Sequence, residues 1–173
     1  DKKTRGANLR FILLTGLVGR ELVQKLADSE AYDSIVVLSR RASGLNHKKL
    51  TEHLIDFDRM GDCAELIRGD HAFCCLGTTM KKAGSKANFR KVDYEYVLEF
   101  ARHASRNGVS GFSLVSSIGA SPRSAVFYSR VKGEAEEAVA KLPFGKVQIF
   151  RPSLLLGDRR EKRFGEDMAK AIY

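Results

Sequence analysis

Short apolar runs alternating with helical stretches constrain this chain more than any other feature. The runs Asn8–Leu14, Asp33–Ser39, Leu54–Asp58, His71–Leu76, Phe112–Ser117 and Lys146–Phe150 all have strand length. Between them, Arg20–Leu26, a stretch around Cys63–Ile67, Asn88–Arg106 and the residues after Phe127 carry helical patterns. In the longest, Phe89, Val92, Tyr96, Val97, Phe100, Ala101 and Ala104 form an apolar stripe, and Asn107-Gly108 ends it. Strands that alternate with helices must cross over to pair in parallel, so the predicted class is α/β: a doubly wound parallel sheet between two helical layers.

One domain spanning residues 1–173 accommodates this pattern, since no repeat or linker interrupts it. No run reaches the roughly eighteen apolar residues of a membrane helix. No charged-then-apolar leader stands at the start, where Asp1–Gly6 reads as a polar arm. Three cysteines, two of them adjacent at Cys74 and Cys75 in an apolar strand, make a poor disulfide framework. They read as small core residues and predict a reducing, cytoplasmic setting. His47, His53, His71 and His103 are scattered without ligand spacing, which disfavours a metal site.

The formal net charge of +9 raises nucleic-acid binding as a reading. Its distribution argues against that. The basic residues fall mostly as pairs in predicted loops, with no interleaved aromatics and no reading helix. An anionic small molecule would use some of them, and the rest read as solvated surface.

Thr15-Gly16-Leu17-Val18-Gly19 lies between the first strand and a helix beginning near Arg20. Backbone N–H groups at such a helix start can hold a phosphate. The usual fingerprint carries three glycines, whereas this turn has Gly16 and Gly19 and is about two residues short on its N-terminal side. Either loop residues are missing from this sequence, the favoured reading, or the phosphate site is degraded; a plain βα turn is the structural alternative.

The second strand ends in Ser39-Arg40-Arg41. In a doubly wound sheet this end faces the adenosine ribose, where an acidic residue suits NAD and arginine suits the 2′-phosphate of NADP. Arg40 and Arg41 therefore predict NADP(H). Asp56, in the predicted third strand, is placed to meet an adenine amino group. Gly77, directly after the fourth strand, lets a dinucleotide backbone approach.

Tyr128 and Lys132 lie four apart on one helical face. A fixed ammonium beside a phenol favours the phenolate and makes an acid/base of it. Such a pair is also commonly a half-buried ring beside a solvated amine. What raises its interest is the pair of hydroxyls, Ser116 and Ser117, at the end of the fifth strand. Arg151-Pro152 then bends the chain past the sheet's C-terminal edge, where open α/β sheets bind ligands.

Thr15–Gly19, Phe73-Cys-Cys-Leu-Gly-Thr-Thr79, Val115-Ser-Ser-Ile-Gly-Ala120, Phe127-Tyr-Ser-Arg-Val-Lys-Gly-Glu134 and Phe150-Arg-Pro152 together resemble the atypical short-chain dehydrogenase/reductases. The similarity is to the branch of the HIV Tat-interactive protein and its bacterial relatives, and it runs through nearly the whole chain. It implies a Rossmann fold and bound NADP(H). It places the phosphate loop on Thr15, Gly16, Leu17 and Val18, with Gly19 closing it, and the 2′-phosphate site on Arg40 and Arg41. Mid-cofactor contacts fall on Leu76 and Gly77, and contacts on the nicotinamide side on Leu155 and Arg163. Tyr128 matches the family's proton donor and Lys132 its ribose-binding partner. Ser117, by spacing, or Ser116 would orient the substrate carbonyl. The resemblance also implies that a small C-terminal substrate-binding portion is absent from this chain. The expected partner is a small carbonyl substrate, with room for a protein partner or a homodimer.

Overall fold

The computed structural model describes residues 12–13 and 16–152. Six strands form one sheet: β1 (Ile12–Leu13), β2 (Ile35–Ser39), β3 (Leu50–Leu54), β4 (His71–Cys74), β5 (Gly111–Val115) and β6 (Lys146–Phe150). Their order is β3-β2-β1-β4-β5-β6, and every neighbouring pair is parallel. This is the strand order of dinucleotide-binding doubly wound sheets, and it reverses direction between β1 and β4. The predicted fold class is borne out.

Period-two alternation in the strands feeds both faces. On β2, Ile35 and Val37 pack with Val23, Leu26 and Ala27 of helix α1 (Gly16–Asp28), while Val36 and Leu38 join the opposite core. On β4, Ala72 and Cys74 likewise face away from Phe73 and Cys75. The second face is covered by α4 (Tyr96–Arg106), by α5 (Phe127–Ala140) through Val139, and by a 3-10 segment, Phe57–Leu66, that contributes Phe57 and Met60. Cys74 and Cys75 are buried and form no disulfide among the described residues, and burial pushes both thiols up to about 12, which makes them poor nucleophiles.

Three local expectations need correction. The helix α1 begins at Gly16, so Gly16–Gly19 forms its first turn rather than a loop ahead of it. The third strand is Leu50–Leu54, not Leu54–Asp58. One further bond, Ile55 N–H to Ser39 O, extends the pairing before Asp56 turns the chain by accepting from the Asp58 N–H. Lys81–Lys86, expected as a loop, overlaps α2 (Met80–Ala83), capped by the Thr79 hydroxyl and by Gly84 at φ 75°. Ser85 then caps α3 (Lys86–Arg90), which runs through a π turn, Lys91–Glu95, into α4.

At the opposite end of the sheet His71 is wedged between strands. A Cβ on Gly111 would lie 2.6 Å from its Nδ1, and its Nε2 is 2.8 Å from Ser113 Oγ. Burial, and then Lys146, hold its pKa below the ordinary imidazole value. A histidine kept neutral in the fold binds its proton more readily when unfolded, so its contribution to stability is lost as pH falls through about 6.5 and below. Urea midpoints of the parent should therefore drop relative to those of His71→Gln between pH 7 and pH 5; parallel curves would contradict this assignment.

Candidate active site

The C-terminal ends of β4 and β5 and the first turns of α5 converge on one buried group of side chains. Lys132, on α5, contacts Asp93, in the π turn, at 2.6 Å, with side chains 8% and 0% exposed. The second carboxylate oxygen of Asp93 accepts from the Thr78 N–H at 2.9 Å. Gly77 lies directly over this pair: an added Cβ would sit 3.3 Å from Lys132 Nζ and 3.4 Å from Asp93 Oδ1. One carboxylate thus ties the loop after β4 to the helix that carries the tyrosine and the lysine.

Burial alone would favour a neutral Lys132. The Asp93 carboxylate, followed by Tyr128, outweighs it and leaves the lysine's pKa raised. For Asp93, burial pushes the carboxyl up against the pull of Lys132 and of the Thr78 N–H. The sequence reading treated Lys132 as a lone cation beside the phenol; in the structure its charge is shared with Asp93.

Tyr128 is buried with Phe89 and Val131, its ring centroid 5.2 Å from that of Phe89. Half-buried Met80, Tyr94 and Phe127 pack around this cluster. Directly after β5, Ser116 and Ser117 are both buried, and neither hydroxyl has a hydrogen-bond partner among the described residues. Buried hydroxyls are normally satisfied, so these two call for a partner that the described residues do not supply. Both serines remain candidates, since each has the same orphaned hydroxyl.

The segment after the serines is pinned against α5. The Ser121 N–H donates to Ser129 O at 3.0 Å, and the missing side chain of Gly133 admits the Ser121–Pro122 backbone. From the far side, Ser116 N–H donates to Phe150 O and Ile118 N–H to Pro152 O. Arg151 grips the buried Glu136 of α5 through Nε, 3.0 Å from Oε1, and through Nη2.

The adenosine side is more open. Arg40 and Arg41 are exposed at the end of β2, with Arg40 5.4 Å from the centroid of the Phe57 ring. Glu52 reaches across from β3 and accepts from the Ser39 hydroxyl at 3.0 Å and the Ser43 N–H at 3.0 Å, which fixes the loop holding the arginines. Asp56 is exposed, its carboxylate used as a cap. Leu76 turns its side chain into the core, leaving its backbone to meet any ligand. Val18 and Gly19 lie in the first turn of α1, where Val18 is half-buried and Gly19 buried; Gly16 and Leu17 open that turn. Thr15, Leu155 and Arg163 lie outside the described residues. Asp93 and Glu52 were not singled out from the sequence. Asp93 left a signal there, because it falls four residues from Phe89 and from Val97 on an otherwise apolar stripe.

These residues fit a dinucleotide: a side-chain-free approach at Gly77 over a buried cation, a helix N-terminus after β1, and unpartnered hydroxyls beyond. Among the described residues no cluster of histidine, cysteine and carboxylate groups could hold a metal ion, and no helix is long and apolar enough to cross a membrane.

No protein-family model matches the chain. Individual relatives do. HTATIP2 of Rattus norvegicus is 33% identical over 177 residues, an alignment covering 100% of this chain and 73% of the relative. The chain belongs to the HTATIP2 branch of the atypical short-chain dehydrogenase/reductases. A second member, FMP52 of Candida albicans, is 36% identical over 169 residues, covering 94% of this chain and 74% of its own. Among solved structures, the UDP-glucose 4-epimerase of Thermotoga maritima superposes with a TM-score of 0.72 at 17% identity, covering 95% of this chain and 61% of its own. The Bordetella bronchiseptica enzyme WbmG, solved with NAD, gives 0.71 at 14% identity, over 90% and 58%. The chain therefore spans about three-fifths of these two structures. The family's FMP52 members are named as mitochondrial proteins, which overturns the cytoplasmic expectation. Buried thiols report a reducing environment at most, and do not specify a compartment.

Proposed function

We propose that this chain is the dinucleotide-binding part of an NADP(H)-dependent oxidoreductase that reduces a carbonyl compound. The observation that carries the reading is the buried Lys132–Asp93 pair under Gly77, with Lys132 on the same helix as Tyr128, together with the unpartnered hydroxyls of Ser116 and Ser117 after β5. The WbmG structure holds NAD in the same fold, which supports a nicotinamide dinucleotide. The choice of NADP over NAD rests on Arg40 and Arg41 at the end of β2, with Glu52 engaged by Ser39 and Ser43.

In this reading the first turn of α1 and the backbone at Leu76 and Gly77 hold the dinucleotide, and Lys132 holds its nicotinamide ribose. A nicotinamide supplies the hydride that converts the carbonyl carbon to the alcohol. Tyr128 delivers the proton to the carbonyl oxygen from its phenol. A hydroxyl of Ser117 or Ser116 donates to the same oxygen and stabilises the charge that develops there. Tyr128 packed against Phe89 and Val131 keeps water from competing for the proton.

The test is oxidation of NADPH across a panel of aldehydes and ketones, using protein that extends through the C-terminal region of its relatives. Turnover with at least one carbonyl class supports the proposal. Tight NADPH binding with no oxidation across the panel would contradict catalysis and leave a nucleotide-sensing protein that partners read.

A further inference from the structure

A carboxylate at position 93 is expensive. Its side chain is fully buried, on a helix face it shares with Phe89, Val97 and Phe100, where a leucine would pack without desolvation. It is also the middle residue of the π turn Lys91–Glu95, the one departure from regular α-helix between Lys86 and Arg106. Such turns recur at functional sites. Oδ2 accepts from the Thr78 N–H at 2.9 Å, while Oδ1 meets the Lys132 ammonium as an ion pair at 2.6 Å and has no hydrogen-bond partner among the described residues. Gly77 backs directly onto this pair: an added Cβ would lie 3.3 Å from Lys132 Nζ and 3.4 Å from Asp93 Oδ1.

We propose that Asp93 is a positioning residue for dinucleotide binding: its carboxylate fixes the Lys132 ammonium beneath Gly77 and locks it to the Thr78 backbone, so that the cation faces the ribose hydroxyls. This rests on the dinucleotide reading above. Without the carboxylate, a lysine this deeply buried sheds its proton as pH rises, and a neutral amine is a weaker partner for the ribose. Among the described residues the groups facing the pair are Thr78, Gly77, the Cys74 thiol and the Tyr128 phenol. The Cys74 thiol, pushed up to about 12, stays neutral throughout.

Asp93→Asn isolates the charge, because the asparagine oxygen still accepts from the Thr78 N–H. The measurement is the NADPH dissociation constant by calorimetry, for parent and variant, across about pH 7 to 9. The ratio of variant to parent should widen with pH and reach roughly ten- to hundredfold at the alkaline end, the weight of one charge-assisted hydrogen bond. A ratio that is the same at every pH overturns the proposal. The second arm uses Lys132→Met: once the ammonium is gone, adding Asp93→Asn should cause no further loss of affinity. A further loss would mean that Asp93 does not act through Lys132. Should Asp93→Asn alone fail to fold, the double variant, which carries no lone buried charge, decides by that same comparison. If the parent binds no dinucleotide at all, the dinucleotide reading fails, and this role for Asp93 fails with it. A binding parent with an unaltered variant profile defeats the Asp93 role alone.

Discussion

Replacing Tyr128 with phenylalanine should lower carbonyl turnover by about a hundred- to ten-thousandfold, the usual worth of a positioned general acid. Dinucleotide affinity and folding should survive. The ring packs with Phe89 and Val131, and phenylalanine keeps every carbon of that contact. The change removes the hydroxyl alone. Lys132 would still meet Asp93, and Gly77 would still lie over the pair. Loss confined to the chemical step, with the NADPH dissociation constant unchanged, is the expected signature of a proton donor. Turnover equal to the parent's would remove Tyr128 from the mechanism. A large loss of NADPH affinity would instead make the tyrosine a binding residue.

A second large effect is expected where helix propensity points the wrong way. Gly133 lies inside α5, and alanine in a helix interior is ordinarily better than glycine by about 1 kcal/mol. Here the added Cβ would stand 2.2 Å from Ser121 C and 2.3 Å from Pro122 N. Backbone cannot rotate aside as a side chain can, and the Ser121 N–H to Ser129 O bond holds the same segment in place. Gly133→Ala should therefore destabilise by about 3 kcal/mol, at the upper end for overpacking, and should displace the loop that follows Ser117. Gly61→Ala is the control, because nothing lies within 4 Å of its added Cβ. Urea unfolding of the two variants separates these cases. A Gly133→Ala protein as stable as the Gly61→Ala control would mean that the loop does not rest on α5.

Legibility followed burial. β2, β4 and β5 were readable because each carries fully buried residues of the apolar core, and β6, itself an edge strand, because Val147, Ile149 and Phe150 give it an apolar character that Leu50–Leu54 lacks. β3 was misplaced by four residues at its start because Leu50–Leu54 is an edge strand of mixed polarity with no fully buried residue. The stronger apolar signal nearby, Phe57 and Met60, belongs to the 3-10 segment that packs over the core. The short α2 helix was overlooked although Thr79, Gly84 and Ser85 are all capping residues, since four residues show no periodicity. At the site, the motif residues Tyr128, Lys132, Ser116 and Ser117 were legible as types at the right spacing. Their setting was not. Asp93 is 39 positions from Lys132 in sequence, and only the fold brings the two to 2.6 Å. The compartment lay beyond reach, because three thiols record a redox state and not an address.

Calorimetric titration with NADPH, and separately with NADH, tests the central claim most directly. The account predicts saturable one-to-one binding of NADPH, weaker binding of NADH, and loss of that preference when Arg40 and Arg41 are both replaced by alanine. Binding of neither dinucleotide would contradict it, leaving a doubly wound scaffold whose shortened glycine turn no longer holds a phosphate.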